Sequence, residues 1–248
     1  MWITATVVEK IVWNDNLFSL KLDAEVAPFI AGQFIKLSQQ IDGKRVARAY
    51  SLVNSPESEF LEVLAIAVED GQLSPQLQSL VVGDQIDISP KATGFMTLEE
   101  LPAISTESCL WLLATGTAVG PFLSMLRTAA IWQTYPHIAL VYSVRQQQDL
   151  AYLADIEALK QQYGEQFSFV ASVTREKVDG ALTERISDAI TSGALEQAVG
   201  HQLTSRDAQV MMCGNPQMIT DVTEILKARG LEKNLRRKPG QITVEKYW

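Results

Sequence analysis

The pattern of apolar residues changes near Leu101, and this change constrains the fold more than any other feature of the sequence. Before it, six short segments rich in Val, Ile, Leu and Phe are separated by turn signals such as Asp42-Gly43. The segments span residues 3–10, 17–22, 33–37, 45–53, 60–68 and 85–89. Short strands at such regular spacing predict a small antiparallel barrel. Ser74, as a capping serine followed by Pro75, predicts one short helix among them.

Beyond residues 102–108, apolar runs alternate with stretches of helical periodicity. The runs span 110–114, 138–144, 167–173 and 209–213, and helices are predicted to follow from Pro121, Asp149, Thr183 and Asn215. The threonine and asparagine at the last two starts are residue types that cap helices. Alternation of this kind predicts a parallel sheet covered on both faces by helices, with a last strand at 242–245.

The two patterns together predict a two-domain fold. Residues 1–101 are expected to form a six-stranded antiparallel Greek-key β-barrel. Residues 106–248 are expected to form a Rossmann-like parallel α/β domain. A chain of 248 residues is long enough for two domains of ordinary size.

Composition and charge exclude several classes of function. The net charge of −8 argues against nucleic acid as the main partner. No apolar run is long enough to span a membrane, and the strand-like start at Met1 lacks the features of a secretory signal. The two cysteines and two histidines show no metal-ligand spacing, so neither a zinc site nor a histidine-based triad is expected. We expect a cytoplasmic monomer with no membrane contact and no bound metal.

Glycine-rich turns follow two of the predicted parallel strands, at the ends where ligands of open sheets bind. Thr115-Gly116-Thr117-Ala118-Val119-Gly120-Pro121 allows a tight turn and a close approach of backbone to a pyrophosphate. It does not match the G-x-G-x-x-G fingerprint, and packing alone explains many such turns. In Cys213-Gly214-Asn215-Pro216-Gln217 the glycine admits a planar ring, and the small thiol can lie beside it. A buried structural cysteine would give the same sequence.

Arginines follow the other two strand ends. Val144-Arg145 ends one strand, Thr174-Arg175 ends the next, and Arg185 precedes the following helix. Because like charges at one sheet edge repel unless an anion lies among them, these arginines favour the 2′-phosphate of NADP over NAD. The alternative is that the three arginines are separately solvated.

Arg48-Ala49-Tyr50-Ser51 suits a flavin better than it suits ordinary packing. The arginine fork matches phosphate oxygens, the tyrosine offers a flat face, and the serine hydroxyl can reach a ring nitrogen or carbonyl. Strand alternation places Arg48 and Tyr50 on one face. An edge strand with a solvated arginine is the alternative. The chain ends in two large aromatic residues, Tyr247 and Trp248, which are expected to pack either on the core or on a bound ring.

A basic cluster lies near the C-terminus of this acidic chain. It consists of Lys227, Arg229, Lys233, Arg236, Arg237 and Lys238, with Glu232 as the one acid among them. Such a cluster can dock an acidic partner or bind phosphate. The alternative is the solvated end of a helix and the loop after it.

Five motifs, taken in order, resemble those of the ferredoxin–NADP reductase family, and most of all its bacterial flavodoxin/ferredoxin–NADP reductases. They are Arg48-Ala49-Tyr50-Ser51, Gly71-Gln72-Leu73-Ser74, Thr115 to Pro121, Cys213-Gly214-Asn215-Pro216 and the Val-Glu-x-Tyr ending. The resemblance covers essentially the whole chain. It implies an enzyme that binds FAD noncovalently between its domains and moves hydride from NADPH to FAD N5. Single electrons would then pass to a flavodoxin or ferredoxin.

The resemblance also implies a role for each matching residue. The implied FAD-binding residues are Arg48, Ala49, Tyr50, Ser51, Ile66, Ala67, Val68, Gln72, Leu73, Ser74, Thr117, Tyr247 and Trp248. The implied NADP-binding residues are Thr115, Gly116, Val144, Arg145, Thr174, Arg175, Arg185, Cys213, Gly214, Asn215, Pro216 and Gln217. The implied catalytic residues are Ser51 near the flavin edge, Cys213 beside the nicotinamide, Glu245 near the hydride path and Tyr247 over the flavin.

Three other functions stay open at this point. One is an NADPH-dependent reductase of free flavin or another small acceptor. Another is an electron-transfer subunit of a larger oxidoreductase, although such chains often carry a cluster of iron–sulfur cysteines and this chain has two distant cysteines. The last is a non-catalytic module that binds NADP without flavin.

Overall fold

The computed structural model describes residues 1–103 and 108–246, which fold into two compact units. The first unit comprises Met1–Thr97 and Gly120–Thr128, and the second comprises Leu98–Val119 and Ala129–Trp248. The first unit therefore includes a short stretch from beyond the predicted barrel domain, and the limits 1–101 and 106–248 stay a prediction. Among the described residues, no helix has the length and apolar character needed to cross a lipid bilayer.

The first unit is a six-stranded antiparallel barrel, as predicted. Its strands are β1 (Ile3–Val12), β2 (Leu17–Asp23), β3 (Phe34–Ile41), β4 (Lys44–Ser51), β5 (Leu61–Ile66) and β6 (Gln85–Ile88). Their order in the sheet is β4-β3-β6-β1-β2-β5. An antiparallel bridge between Leu52, just after β4, and Val63 of β5 joins the two edge strands. Alternate side chains such as Leu20 and Leu22 fill the core. This is why each strand appears in the sequence as a short segment rich in apolar residues.

The helix α1 (Ser74–Ser79) corrects one prediction. Leu73 occupies its N-cap position, and Ser74 lies inside the first turn with Pro75. The Ser74 hydroxyl does not cap the helix; it accepts the backbone N–H of Val68 at 3.0 Å. That N–H lies just beyond the end of β5, so the serine satisfies a strand end rather than a helix start.

The helix α2 (Gly120–Leu126) belongs to the barrel unit because buried polar contacts attach it there. The Ser124 hydroxyl donates to the Asn54 carbonyl at 2.7 Å. Arg127 donates to the Val53 carbonyl at 3.0 Å and forms an ion pair with the buried carboxylate of Glu62 at 3.0 Å. Removing either member of such a pair would leave a buried charge without its partner and destabilise the unit, so this contact fixes where residues 120–128 attach.

The second unit is a parallel α/β sheet, as predicted. Its strands are β7 (Cys109–Thr115), β8 (His137–Val144), β9 (Phe167–Val173), β10 (Ala208–Gly214) and β11 (Ile242–Lys246), in the order β11-β10-β7-β8-β9. Its helices are α3 (Ala129–Thr134), α4 (Leu153–Tyr163), α5 (Ile186–Ser192), α6 (Ala194–Val199) and α7 (Pro216–Ala228). Leu112 and Leu113 point to opposite faces of β7 and are both fully buried, so both faces of the sheet are covered.

The helix starts were predicted less well than the strands. The helix α4 begins at Leu153 rather than Asp149, because residues 147–149 form a 3₁₀ turn and Tyr152 has a φ of 62°. The helix α5 begins at Ile186 without a cap from Thr183. The start of α7 is as predicted: the Asn215 side chain accepts the N–H of Gln217 at 2.8 Å and that of Met218 at 3.3 Å.

Candidate functional site

A crevice opens at the carboxyl ends of β7 and β10, because the chain leaves the central strand β7 toward β8 on one side and returns to β10 on the other. The Thr115 Oγ1 atom accepts the N–H of Asn215 at 2.8 Å, so the two predicted glycine-rich motifs meet here. Gly214 has a φ of +135°, and a Cβ on it would lie 2.1 Å from Thr115 Oγ1. Glycine is therefore required at this contact.

Gly116 lines the open side of the same crevice. Its φ is +56°, and a Cβ placed on it would meet no atom within 4 Å. The 3₁₀ turn of residues 116–119 follows at once, and it buries the Thr117 side chain. A ligand can thus approach the backbone at Gly116 closely, which is the property expected of a dinucleotide site.

Arg145 and Arg175 follow the ends of β8 and β9, and all three predicted arginines are exposed. The Arg175 N–H donates to the Arg145 carbonyl at 2.9 Å, so these two residues are direct neighbours. Arg185 occupies the N-cap position of α5. The segment before it runs alongside β9, because Val173 N–H donates to the Leu182 carbonyl at 2.8 Å. Within residues 1–103 and 108–246, none of the three arginines forms an ion pair, which suits a phosphate group.

Cys213 and Glu245 are paired in register on β10 and β11. Burial raises the pKa of the Cys213 thiol well above its usual range, and the negative charge of Glu245 raises it further. Burial also raises the pKa of the Glu245 carboxyl. Cys213 therefore stays a neutral thiol and is no nucleophile at neutral pH. The predicted residues Tyr247 and Trp248 lie outside the described part of the chain.

On the barrel, β4 carries the predicted flavin motif. Arg48 is exposed, and its guanidinium donates to the Ala47 carbonyl at 2.8 Å. Tyr50 packs against the barrel core, and burial raises its pKa to about 12 although the charge of Arg48 lowers it. The tyrosine thus presents a neutral ring with an O–H donor. Ser51 is buried.

A cavity of about 360 Å³ connects this strand with the second predicted flavin motif. Its lining residues are Ile41, Asp42, Lys44, Arg45, Val46, Arg48 and Gln72. Arg45 is held by an ion pair with Asp87 at 2.6 Å, and its guanidinium lies over the Trp2 ring, 5.0 Å from its centroid. Lys44 and Arg48 form no ion pair among the described residues. With the Gln72 amide, they are donors suited to a diphosphate.

Lys44 lines this cavity, although the sequence analysis did not identify it as a candidate. The signal was present, because residues 44, 46 and 48 alternate along one strand and therefore share a face. Lys44 also sits at the start of β4, immediately after the Asp42-Gly43 turn, where a lysine is easily taken for solvated surface.

The end of β5 completes the barrel side. Ile66 and Val68 are 41% and 54% exposed, which leaves apolar surface suited to a flat ring. Ala67 N–H donates to the Asn16 carbonyl at 2.8 Å. Because Ser74 accepts the Val68 N–H, residues 66–68 and 72–74 form one loop. Leu73 is buried, so it can face a ligand only through its backbone.

The barrel thus offers cationic and amide donors beside apolar surface, a set that fits the diphosphate and ring of a flavin dinucleotide. The strand ends of the second unit offer a glycine-lined crevice beside three arginines, a set that fits NADP. The fold and these two sets of residues define a class of protein, the two-domain oxidoreductases that use a flavin and a nicotinamide nucleotide.

Comparison with known proteins agrees with this class. Residues 3–95 match the oxidoreductase FAD-binding domain family, and residues 112–224 match the oxidoreductase NAD-binding domain family. The flavodoxin/ferredoxin–NADP reductase of Escherichia coli (strain K12) is 44% identical over 248 residues, covering 100% of this chain and 99% of that protein. The chain belongs to the flavodoxin/ferredoxin–NADP reductase family.

More distant proteins are similar along nearly the same length. The ferredoxin–NADP reductase of Azotobacter vinelandii is 32% identical and covers 94% of this chain and 93% of its own. The crystal structure of a ferredoxin NADP+ reductase from Neisseria gonorrhoeae, with bound FAD and NADP, superposes with a TM-score of 0.93. It is 29% identical and covers 100% of this chain and 99% of its own.

Proposed function

We propose that this protein is a flavin-dependent reductase that moves electrons between NADPH and a one-electron carrier protein, flavodoxin or ferredoxin. The observation that carries this function is the 44% identity, over the entire chain, to flavodoxin/ferredoxin–NADP reductases. FAD is the resident cofactor and NADP(H) the nucleotide substrate. A cytoplasmic monomer is our proposal for compartment and oligomeric state.

FAD, when bound, supplies the conversion between hydride transfer and single-electron transfer. On the barrel, Arg48 and Gln72 bind its phosphates, and Lys44 adds a third donor from the same cavity. Tyr50 packs on the ring as a neutral phenol, and the Ser51 hydroxyl bonds to the ring edge. The remaining barrel residues of the site contribute backbone groups and apolar contact, and they are Ala49, Ile66, Ala67, Val68, Leu73 and Ser74.

The strand ends of the second unit hold and orient NADPH. Arg175 and Arg185 bind the 2′-phosphate, and Arg145 binds a further phosphate oxygen. Thr115, Gly116 and the Cys213–Gln217 turn contact the dinucleotide, and Val144 and Thr174 contribute backbone next to the arginines. Cys213 lies beside the nicotinamide as a neutral thiol, near Glu245. Thr117 completes these contacts, and the roles that the resemblance implies for Tyr247 and Trp248 fall on residues outside the described part of the chain.

The test of this function is anaerobic reduction of the purified holoenzyme. We expect a yellow protein that releases FAD on denaturation, that NADPH bleaches much faster than NADH, and that then reduces added flavodoxin or ferredoxin. A colourless protein that still binds NADP would support the module without flavin. A flavoprotein that reduces free flavin but none of a panel of flavodoxins and ferredoxins would favour the small-acceptor reductase.

The carrier would dock on a smaller part of the basic cluster than the sequence indicates. Arg229 pairs with Glu196 at 2.8 Å and donates to the Ile190 carbonyl, so it stabilises the second unit. Lys238 pairs with Glu232, and Lys227 lies 3.7 Å from Glu224. Of the six cations, Lys233, Arg236 and Arg237 are those without an ion pair in the described part of the chain.

These three cations lie on and beside a small hairpin. Leu235 and Lys238 exchange two backbone hydrogen bonds, of 3.0 and 2.9 Å, which places Arg236 and Arg237 at the tip. The Leu235 side chain is 56% exposed beside them. An apolar side chain among unpaired cations suits an acidic protein partner, because charge steers the encounter and the leucine is buried on contact.

Charge reversal tests this docking surface. Arg236→Glu/Arg237→Glu should slow reduction of the carrier by about tenfold or more at low salt, because steering is lost. Reduction of a small dye by NADPH should be unchanged. Lys160→Glu/Arg206→Glu, a matched reversal of two exposed cations elsewhere, should leave both rates unchanged. Equal loss in the carrier and dye assays would rule out docking at the hairpin.

A further inference from the structure

One carboxylate connects the two loops that carry Arg145 and Arg175. Glu176, the residue after Arg175, accepts the backbone N–H of Gln147, which lies two residues after Arg145. The contact joins residues 29 apart in the sequence. Both residues are exposed. The acidic side chain next to Arg175 therefore accepts a backbone N–H, and it forms no ion pair within the described part of the chain.

Other bonds hold the same two loops in one arrangement. The Thr174 N–H and hydroxyl both donate to the Val144 carbonyl, at 3.0 and 3.1 Å. One residue further, Arg175 N–H donates to the Arg145 carbonyl. The contact between Glu176 and Gln147 is the outermost of this series, and it is the one made by an exposed side chain.

The charge of Glu176 taken alone opposes the proposed site. A carboxylate next to Arg175 weakens the attraction of this site for a phosphate, because the carboxylate and the phosphate both carry negative charge. Its presence is explained if the hydrogen bond contributes more than the charge costs. The turn after β8 is otherwise held at this point by Asp149, whose carboxylate accepts the Gln146 N–H at 3.1 Å from within the same turn. Glu176 ties that turn to the neighbouring loop through its side chain.

We infer that Glu176 is a positioning residue for NADP(H): its bond to Gln147 aligns Arg145 with Arg175 around the nucleotide's phosphates. The inference rests on the proposed function. Glu176 acts through an acceptor oxygen and not through its charge. Glutamine at this position should therefore preserve NADP(H) binding, and alanine should not.

The test compares Glu176→Ala with Glu176→Gln in the FAD-loaded enzyme. We expect E176A to weaken binding of 2′,5′-ADP, measured by calorimetry, by about 5- to 20-fold, the order of magnitude of the net loss of one hydrogen bond. The KM for NADPH should rise in parallel with kcat unchanged, and the KM for NADH should rise less, because NADH keeps the phosphate assigned to Arg145 but lacks the 2′-phosphate. E176Q should stay within about threefold of the wild type. Glu157→Ala, which removes an exposed carboxylate from α4, is the matched control and should change nothing.

Hydrogen exchange adds a readout that is independent of turnover. The Gln147 amide should exchange faster in E176A and at the wild-type rate in E176Q. The inference would be overturned if E176A bound 2′,5′-ADP as tightly as the wild type, or if E176A and E176Q lost the same affinity. Tighter binding by E176Q would overturn it too, because the charge of Glu176 would then matter more than its hydrogen bond. A wild-type enzyme that does not bind 2′,5′-ADP would instead overturn the proposed NADP site itself, and with it this role of Glu176.

Discussion

Replacing both Arg175 and Arg185 by alanine should raise the KM for NADPH by about 10²- to 10⁴-fold, since each charge-assisted hydrogen bond to phosphate contributes about 1.5–3 kcal/mol. The KM for NADH should change little, because NADH lacks the 2′-phosphate. Both arginines are exposed, so their loss should not destabilise the fold. Steady-state reduction of a dye with each nucleotide measures the effect.

A single variant and a control make this result specific. Arg175→Ala alone should raise the KM for NADPH by about 10- to 100-fold. Arg206→Ala removes another exposed arginine, one paired with its neighbour Asp207 at 3.4 Å, and should leave both KM values unchanged. A parallel rise in the KM for NADPH and NADH in the double variant would mean that the 2′-phosphate binds elsewhere.

Gly214→Ala should destabilise the second unit by about 2–5 kcal/mol, the sum expected for backbone strain and a core clash. The strain arises because φ is +135° at this residue. The clash arises because the new Cβ would lie 2.1 Å from Thr115 Oγ1. Moving Thr115 would break its bond to Asn215, so binding of NADP+ should fall as well. Chemical denaturation and NADP+ titration measure the two effects.

Two further variants separate strain from clash. Gly200→Ala, where φ is +82° and a Cβ meets nothing within 4 Å, should cost only about 1 kcal/mol. Adding Thr115→Ala to Gly214→Ala should recover part of the stability, because the nearest atom of the clash is removed. Nucleotide binding should stay weak in the double variant. A Gly214→Ala protein as stable as the wild type would show that the two turns do not meet as described.

The strands and the crevice follow from the sequence because they depend on local pattern. Buried parallel strands read as apolar runs, and their carboxyl ends meet at one edge whatever the details of packing. The helix starts follow less well, because distant groups decide them. Ser74 bonds to the end of β5, and Tyr152 adopts a positive φ that no propensity would indicate.

The same reason limits prediction of charged residues. Arg229 belongs to the basic cluster by sequence, but its partner Glu196 lies 33 residues away and removes it from the docking surface. Glu176 is invisible as a site residue because acids are not expected beside phosphate-binding arginines. Its role depends on an amide brought close by the pairing of β8 with β9. Sequence patterns thus predict where the site lies, and long-range contacts determine which side chains are available to it.

The attachment of residues 120–128 to the barrel has a consequence for how the chain folds during synthesis. The barrel's strands are all present once Ile88 has been made, yet Glu62 lacks Arg127 until the chain has grown past β7. A nascent barrel therefore keeps a charged, incomplete core while the first strand of the second unit is already emerging. A chain that ends at residue 101 would therefore contain all six barrel strands but lack the partner of Glu62, so we expect it to be less stable than the barrel of the full chain.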